Sequence, residues 1–333
     1  MEILFQQILN GLVLGSVYAL VALGYTMVYG ILGLINFAHG EVVMVGALTA
    51  LSVSNALLSA MPGLPAPVIL TIAVIVAMLA CMLLGFSIER IAYRPLRRAP
   101  RLAPLITAIG VSILLQTVAM LIWGRRYHTV PSLLPATPHN IAGATITDVQ
   151  IAIIVVSALI MVGLLLVVHF TKLGRAMRAT AENQTVAGLM GVNINKIISA
   201  TFVIGSALAA VAGVLVSANY GIAHYYMGFL LGLKAFTAAV LGGIGNLGGA
   251  MLGGLLLGLI ESLGAGYIGH VTDLCQSDIL RHLSSDLASR CTGNAEVPLF
   301  GSNYQDVFAF MVLITVLVLR PTGLLGERVS ERA

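Results

Sequence analysis

The chain has 333 residues, 59% of them apolar and 9% charged, with a formal net charge of +4 and a mean hydropathy of +1.00. Several apolar runs reach the ~20 residues that cross a bilayer as helix, which excludes an ordinary soluble domain with charge on its outer face. Alternating strands of about 10 residues are absent, which excludes an outer-membrane barrel, and the small positive excess is a topology signal rather than a nucleic-acid footprint.

The opening, MEILFQQILNGLVLGSVYALVALGYTMVYG, lacks a basic leader and an A-x-A cleavage site, so the first span is expected to be retained. Spans are expected at 8–29, 41–60, 66–87, 103–123, 149–170, 197–218, 229–242, 248–268 and 305–319. The expected fold is an all-α, polytopic helical bundle of eight or nine transmembrane segments, one domain over 1–333, with interrupted or re-entrant helices. The seventh segment is too short to cross comfortably and reads as a half helix. The 36 glycines, about 11% against a usual ~7%, let helices approach closely and let backbone turn inside protein.

Between the first two spans, INFAHGEVVM (35–44) gathers Asn36, His39 and Glu41 in a chain otherwise poor in polar groups. Polar side chains within or beside spans cost about 2.5–3.5 kcal/mol at a helix centre, so they invite explanation. Glu41 is expected in the first turn of the second helix, where a carboxylate suits the helix dipole. Asn36 or His39 would satisfy backbone groups freed by a turn at Gly40. A lining or gate of a translocation path, and direct substrate contact, are the functional alternatives. The turn itself is expected toward the cytoplasmic side.

The links carry the orientation. Residues 88–102 hold Arg90, Arg94, Arg97, Arg98 and Arg101; residues 171–196 hold Lys172, Arg175, Arg178 and Lys196; the tail holds Arg320, Arg328 and Arg332. With nine spans these twelve of 17 basic residues fall on one side, which the positive-inside rule makes cytoplasmic. The N-terminus is then periplasmic and the C-terminus cytoplasmic. Within 171–196, residues 173–190 are expected as a helix with Arg178 and Glu182 four apart. Gly188 and Gly191 are expected to break it, and Asn193 or Asn195 to begin the next helix.

Lys234 and Glu261 lie on the consecutive seventh and eighth spans, on either side of a break near Gly245. An internal ion pair is the plain reading, and contact with a substrate carboxylate or ammonium the functional one. A weak repeat relates MVYGILGLINFAHGEVVMVGAL to AVLGGIGNLGGAMLGGLLLG, each with an Asn (Asn36, Asn246) in a Gly-containing break, a pattern that points to transport sites. The expected outer loop, 269–304, contains Cys275 and Cys291, a candidate disulfide, and an apolar face at Ile279, Leu280, Leu283 and Leu287 that reads as a short surface helix.

No H-E-x-x-H, G-x-S-x-G or phosphate-loop motif occurs, so neither an enzyme nor an ATPase is expected in this chain. A stand-alone channel or secondary transporter would need coupling or filter residues beyond one intramembrane Lys and one Glu.

Three segments in order, INFAHGEV, GRAMRATAEN…AGLMGVN and KAFTAAVLGGIGN, with LRPTGLLG at 319–326, resemble the permease subunits of bacterial branched-chain amino acid ABC importers, in particular the first of two paired permeases. The resemblance implies an inner-membrane permease forming half of the pathway. Its partners would be a second homologous permease, two cytoplasmic ATPases that hold ATP and Mg, and a periplasmic binding protein for Leu, Ile or Val. It implies no cofactor in this chain. It also makes 171–196 a coupling loop, with Glu182 and Gly188 at the E and G of an E-A-A-x-x-x-G pattern. Asn183 and Gln184 depart from that pattern, and no Leu-Pro follows. A urea or short-amide permease is the alternative, because urea importers carry a similar N-x-A-H-G-E stretch.

Overall fold

Turn and cap residues divide the apolar runs into helices in the computed structural model, which describes residues 2–97, 99–100, 102–141, 143–271 and 305–326. In chain order these are α1 (Glu2–Leu32), α2 (His39–Ala60), α3 (Ala66–Ile88), α4 (Leu102–Trp123), α5 (Asp148–Phe170), α6 (Lys172–Glu182), α7 (Gln184–Leu189), α8 (Ile194–Tyr220), α9 (Met227–Gly242), α10 (Leu247–Val271) and α11 (Gln305–Leu319). A π turn (Glu89–Tyr93) and a 3-10 turn (Arg94–Leu96) prolong α3 into what the sequence reads as a link. Four short strands join as two antiparallel pairs: β1 (His128–Thr129) with β4 (Ile222–Ala223), and β2 (Pro138–Ile141) with β3 (Ala144–Thr147).

Local chemistry sets the boundaries. Thr147 and Gln150 form a reciprocal capping box at the start of α5. Thr171 accepts from Gly174 N at 3.0 Å and opens α6, and Asn193 accepts from Lys196 N at 3.1 Å and opens α8, as its spacing suggests. Gly221, at φ +68°, ends α8 in the left-handed region.

Among the described residues, seven helices are long and apolar enough to cross a membrane. The most apolar 18-residue stretch is 89% buried in α1 and 72% in α8, but 17% in α4 and 28% in α3 and α5. So α1 and α8 form the centre, and α3, α4 and α5 present leucines and isoleucines such as Leu83, Leu121 and Leu159 outward. Facing lipid tails, those side chains lose nothing by exposure; close packing between helices holds the bundle. With 16 residues, α9 is about 24 Å long, short of a ~30 Å hydrocarbon core, as the sequence suggests.

The basic links gather at one end. Arg97 donates to Asn195 Oδ1 at 2.7 Å, and Gln184 donates to the carbonyl of Ile31 at the end of α1 at 2.7 Å. Leu324 N donates to Leu241 O at 2.9 Å, bringing the segment after α11 to the same end. The opposite end holds the strands, where Thr145 N donates to Gln6 Oε1 at 2.8 Å near the start of α1.

Two local expectations are corrected. The helix over 173–190 breaks at Asn183, which caps α7 by accepting from Val186 N at 3.0 Å; Gly188 lies inside α7 rather than ending it. The Arg178–Glu182 pair does not form among the described residues, because Arg178 reaches back to the carbonyl of His169 at 3.3 Å, the end of α5. Residues 269–271 belong to α10. The rest of the 269–304 loop, with Cys275 and Cys291, lies outside the described residues, as do Arg98, Arg101, Arg328 and Arg332.

Candidate functional site

The polar stretch of the first turn lies deeper than its sequence position suggests. Helix α1 ends at Leu32, Gly33 turns the chain at φ +65°, and residues 33–38 fold back inward without helix before α2 starts at His39. The His39 ring lies against Gly24, eight residues or about 12 Å before the end of α1. A Cβ on Gly24 would sit 2.2 Å from His39 Nε2, so only glycine fits there. Glu41 Oε1 accepts from Gln116 Nε2 at 2.7 Å and from Ser112 Oγ at 3.1 Å, halfway along α4. Glu41 is in the first turn of α2 as expected, but that turn lies inside the bundle rather than at its basic end.

Asn36 does what its type suggests: Oδ1 accepts from Ala38 N at 3.2 Å and from Tyr93 OH at 2.8 Å. His39 Nε2 and Glu41 Oε2 are buried without a hydrogen-bond partner among the described residues. A Cβ on Gly40 would meet the Gly228 carbonyl at 2.5 Å, so backbone of α2 and α9 touch beside Glu41.

The second polar centre joins four helices. Lys234 Nζ of α9 lies 2.6 Å from Glu261 Oε1 of α10, the pair the sequence suggests. Tyr18 OH of α1 donates to Glu261 Oε2 at 2.9 Å, and Asp306 Oδ1 of α11 lies 2.8 Å from Lys234 Nζ. Two carboxylates therefore face one ammonium. Their exposures differ: the Glu261 side chain is 3% exposed and that of Asp306 37%. Sequence reasoning misses Tyr18 and Asp306. Asp306 has a signal, being the one acid in the last span; Tyr18 has none.

Beside this centre, toward the end away from the basic links, α1, α8 and α9 line a half-open cavity of about 330 Å³. Its walls are mostly apolar, with Val13, Val17, Val216 and Leu230 among them, and Lys234 reaches its lining.

Asn246 stands apart. It accepts from Gly249 N at 3.0 Å, capping α10, and donates to Leu325 O at 3.0 Å at the basic end. The two breaks share an asparagine and a hairpin that turns at that end, but Asn36 caps no helix, and Asn246 does not join the Glu41 or Lys234 centres.

At the basic end, α6, α7 and the turn after α7 leave Arg175, Arg178, Glu182, Gly188 and Gly191 exposed. Val186, Leu189 and Met190 are 53%, 84% and 81% exposed, an apolar cluster outside the bundle. Glu89, fully buried, is held by Arg97 and by Ser199 Oγ at 2.6 Å, tying α3 to α8. The sequence reading treats Arg97 as a topology signal and misses this lock.

The family described as branched-chain amino acid transport system, permease component, matches residues 7–317. The chain is 47% identical over 98% of its length to the high-affinity branched-chain amino acid transport system permease protein BraD of Pseudomonas aeruginosa, covering 97% of that protein. It is 43% identical over 98% of its length to the corresponding protein LivH of Escherichia coli, covering 97% of it. A shorter likeness, 33% over 28% of the chain and 31% of the relative, links it to the ribose import permease protein RbsC of Escherichia coli. No solved structure matches.

Proposed function

Because the chain belongs to the family of branched-chain amino acid transport permeases, we propose that it forms half of the membrane pathway of an ATP-driven importer for leucine, isoleucine and valine. The observation that carries this reading is the 47% identity along nearly the whole chain to a permease of that description. The same likeness favours amino acids over urea or a short amide.

In this reading the basic end is cytoplasmic, so the N-terminus is periplasmic, the C-terminus is cytoplasmic, and the chain resides in a bacterial inner membrane. The permease has no catalytic role; two separate ATPase subunits hold ATP and Mg and grip the 171–196 link. The exposed Val186, Leu189 and Met190 supply the apolar contact, with Arg175, Arg178 and Glu182 around it and Gly188 and Gly191 allowing close approach. A second homologous permease completes the pathway, and a periplasmic binding protein docks at the strand-bearing end.

Asn36, His39, Glu41, Lys234 and Glu261 act inside the bundle as lining or gate, and Asn246 as a hinge cap at the cytoplasmic turn. Buried polar groups at mid-depth favour two discrete arrangements over continuous deformation, which suits alternating access. The test is uptake of labelled leucine, isoleucine, valine and urea by cells that depend on this permease with its partners. Uptake of the three amino acids that stops when the ATPases are omitted supports the reading; uptake of urea alone overturns it.

A further inference from the structure

Among the described residues two carboxylates face the one ammonium of Lys234, and Lys234 borders the cavity. Glu261 is fixed: it takes the Lys234 contact at 2.6 Å and the Tyr18 hydroxyl at 2.9 Å, and its side chain is 3% exposed. Asp306 is not. Its Oδ1 lies 2.8 Å from Lys234 Nζ, and its side chain is 37% exposed. Lys234 also reaches the lining of the 330 Å³ cavity, whose walls are dominated by valine, leucine and tyrosine side chains.

We propose that this cavity holds the amino acid on its way through the membrane, and that the Lys234–Asp306 contact opens to take its zwitterionic head. The inference rests on the transport reading above. The substrate carboxylate replaces Asp306 on Lys234, and its ammonium bonds the released Asp306. Glu261 and Tyr18 stay in place and keep Lys234 charged. The branched side chain lies against Val13, Val17, Val216 and Leu230.

Charge explains the selectivity. In a low-dielectric site an added net charge is costly. A zwitterion adds none: one ion contact is exchanged for two, and the total stays the same. A carboxylic acid lacking the ammonium brings a second negative charge beside Asp306 and leaves Asp306 without a partner. An amine lacking the carboxylate leaves Lys234 short of the contact it surrendered. Urea, neutral and apolar nowhere, uses neither the charges nor the walls.

The experiment uses the assembled complex of this permease with its partner permease and ATPases, in lipid nanodiscs without the binding protein. Equilibrium binding is measured for labelled leucine, 4-methylpentanoate and 3-methylbutylamine. Leucine is expected to bind saturably, and both analogues at least about tenfold more weakly, the size of one lost charge-assisted hydrogen bond. Asp306→Asn should weaken leucine about tenfold and leave 4-methylpentanoate no weaker. Leu230→Trp, filling the cavity from an exposed position on α9, should abolish leucine binding while size-exclusion shows an intact complex. The proposal is overturned if wild-type shows no saturable binding, if the analogues match leucine, or if both variants bind leucine normally. Leucine uptake that persists with ATP and binding protein in those cases leaves the transport reading standing and removes this one alone.

Discussion

Lys234 and Glu261 meet at 2.6 Å although they occupy different heights on adjacent helices. Lys234 lies eight residues before the end of α9, and Glu261 fourteen after the start of α10, about 12 and 21 Å from the shared turn. Two long side chains close the offset. Removing either partner leaves a charge buried without its main contact, at a cost of about 3–5 kcal/mol. Lys234→Met and Glu261→Gln should each lower the unfolding temperature in detergent and reduce transport, and the double variant should lose less than the sum. Additive losses would show that the two charges do not act together. Asp306→Asn should cost less than Glu261→Gln, because Asp306 is more exposed and Glu261 also holds the Tyr18 hydroxyl.

Glu41 is expected to matter as an acceptor. Glu41→Gln retains an oxygen for Ser112 and Gln116, whereas Glu41→Leu leaves both without their acceptor inside the bundle. The leucine variant should be less stable than the glutamine variant by about 1–3 kcal/mol. Equal stability of the two in detergent would mean that the α2–α4 hydrogen bonds contribute nothing.

Gly24 and His39 form a size-matched pair. Gly24→Ala would drive a methyl to 2.2 Å from the His39 ring and should cost about 1–3 kcal/mol by overpacking. Replacing His39 by alanine in the same chain removes the obstacle, so the double variant should recover part of the loss. No recovery would locate the clash elsewhere, in the backbone of α8 beside Gly205.

The α6–α7 link is expected to transmit ATPase motion. Glu182→Lys, Gly188→Trp and Leu189→Glu alter exposed positions, where folding tolerates change. Each should leave insertion normal and separate ATP hydrolysis from uptake in the reconstituted complex. Wild-type coupling in all three would move the docking surface to the link at 88–102.

Much of this was legible from the amino acids. Apolar run length set the spans, arginine placement set which links share an end, and the Lys234–Glu261 pair followed from two charges in otherwise apolar helices. What escaped depends on distance in space rather than in sequence. The inward fold of residues 33–38 carries no breaker stronger than Gly33, so Glu41 reads as lying near a membrane surface. Ser112 and Gln116, four apart on one face of α4, are a polar stripe that could have flagged a partner. Tyr18 is indistinguishable in sequence from other tyrosines at span interiors. Arg97 is ambiguous, since one arginine serves both as a topology signal and as the partner of Glu89.

The helix break at Asn183 illustrates a different limit. Arg178 and Glu182 have ideal spacing for a pair, yet exposed pairs of that kind contribute only about 0.3–0.5 kcal/mol. Capping the last turn of α5 through the His169 carbonyl competes with that on equal terms, and the arginine takes it. Weak local preferences predict poorly where a tertiary partner is within reach.

The most direct measurement is uptake into proteoliposomes containing this permease, its partner permease and both ATPases, with ATP at the cytoplasmic face and binding protein outside. Accumulation of labelled leucine against a gradient, lost without ATP and reduced in both Lys234→Met and Glu261→Gln, is the predicted result. Leucine equilibrating without ATP, or accumulation unaffected by either substitution, would contradict an ATP-driven path that runs past this buried pair.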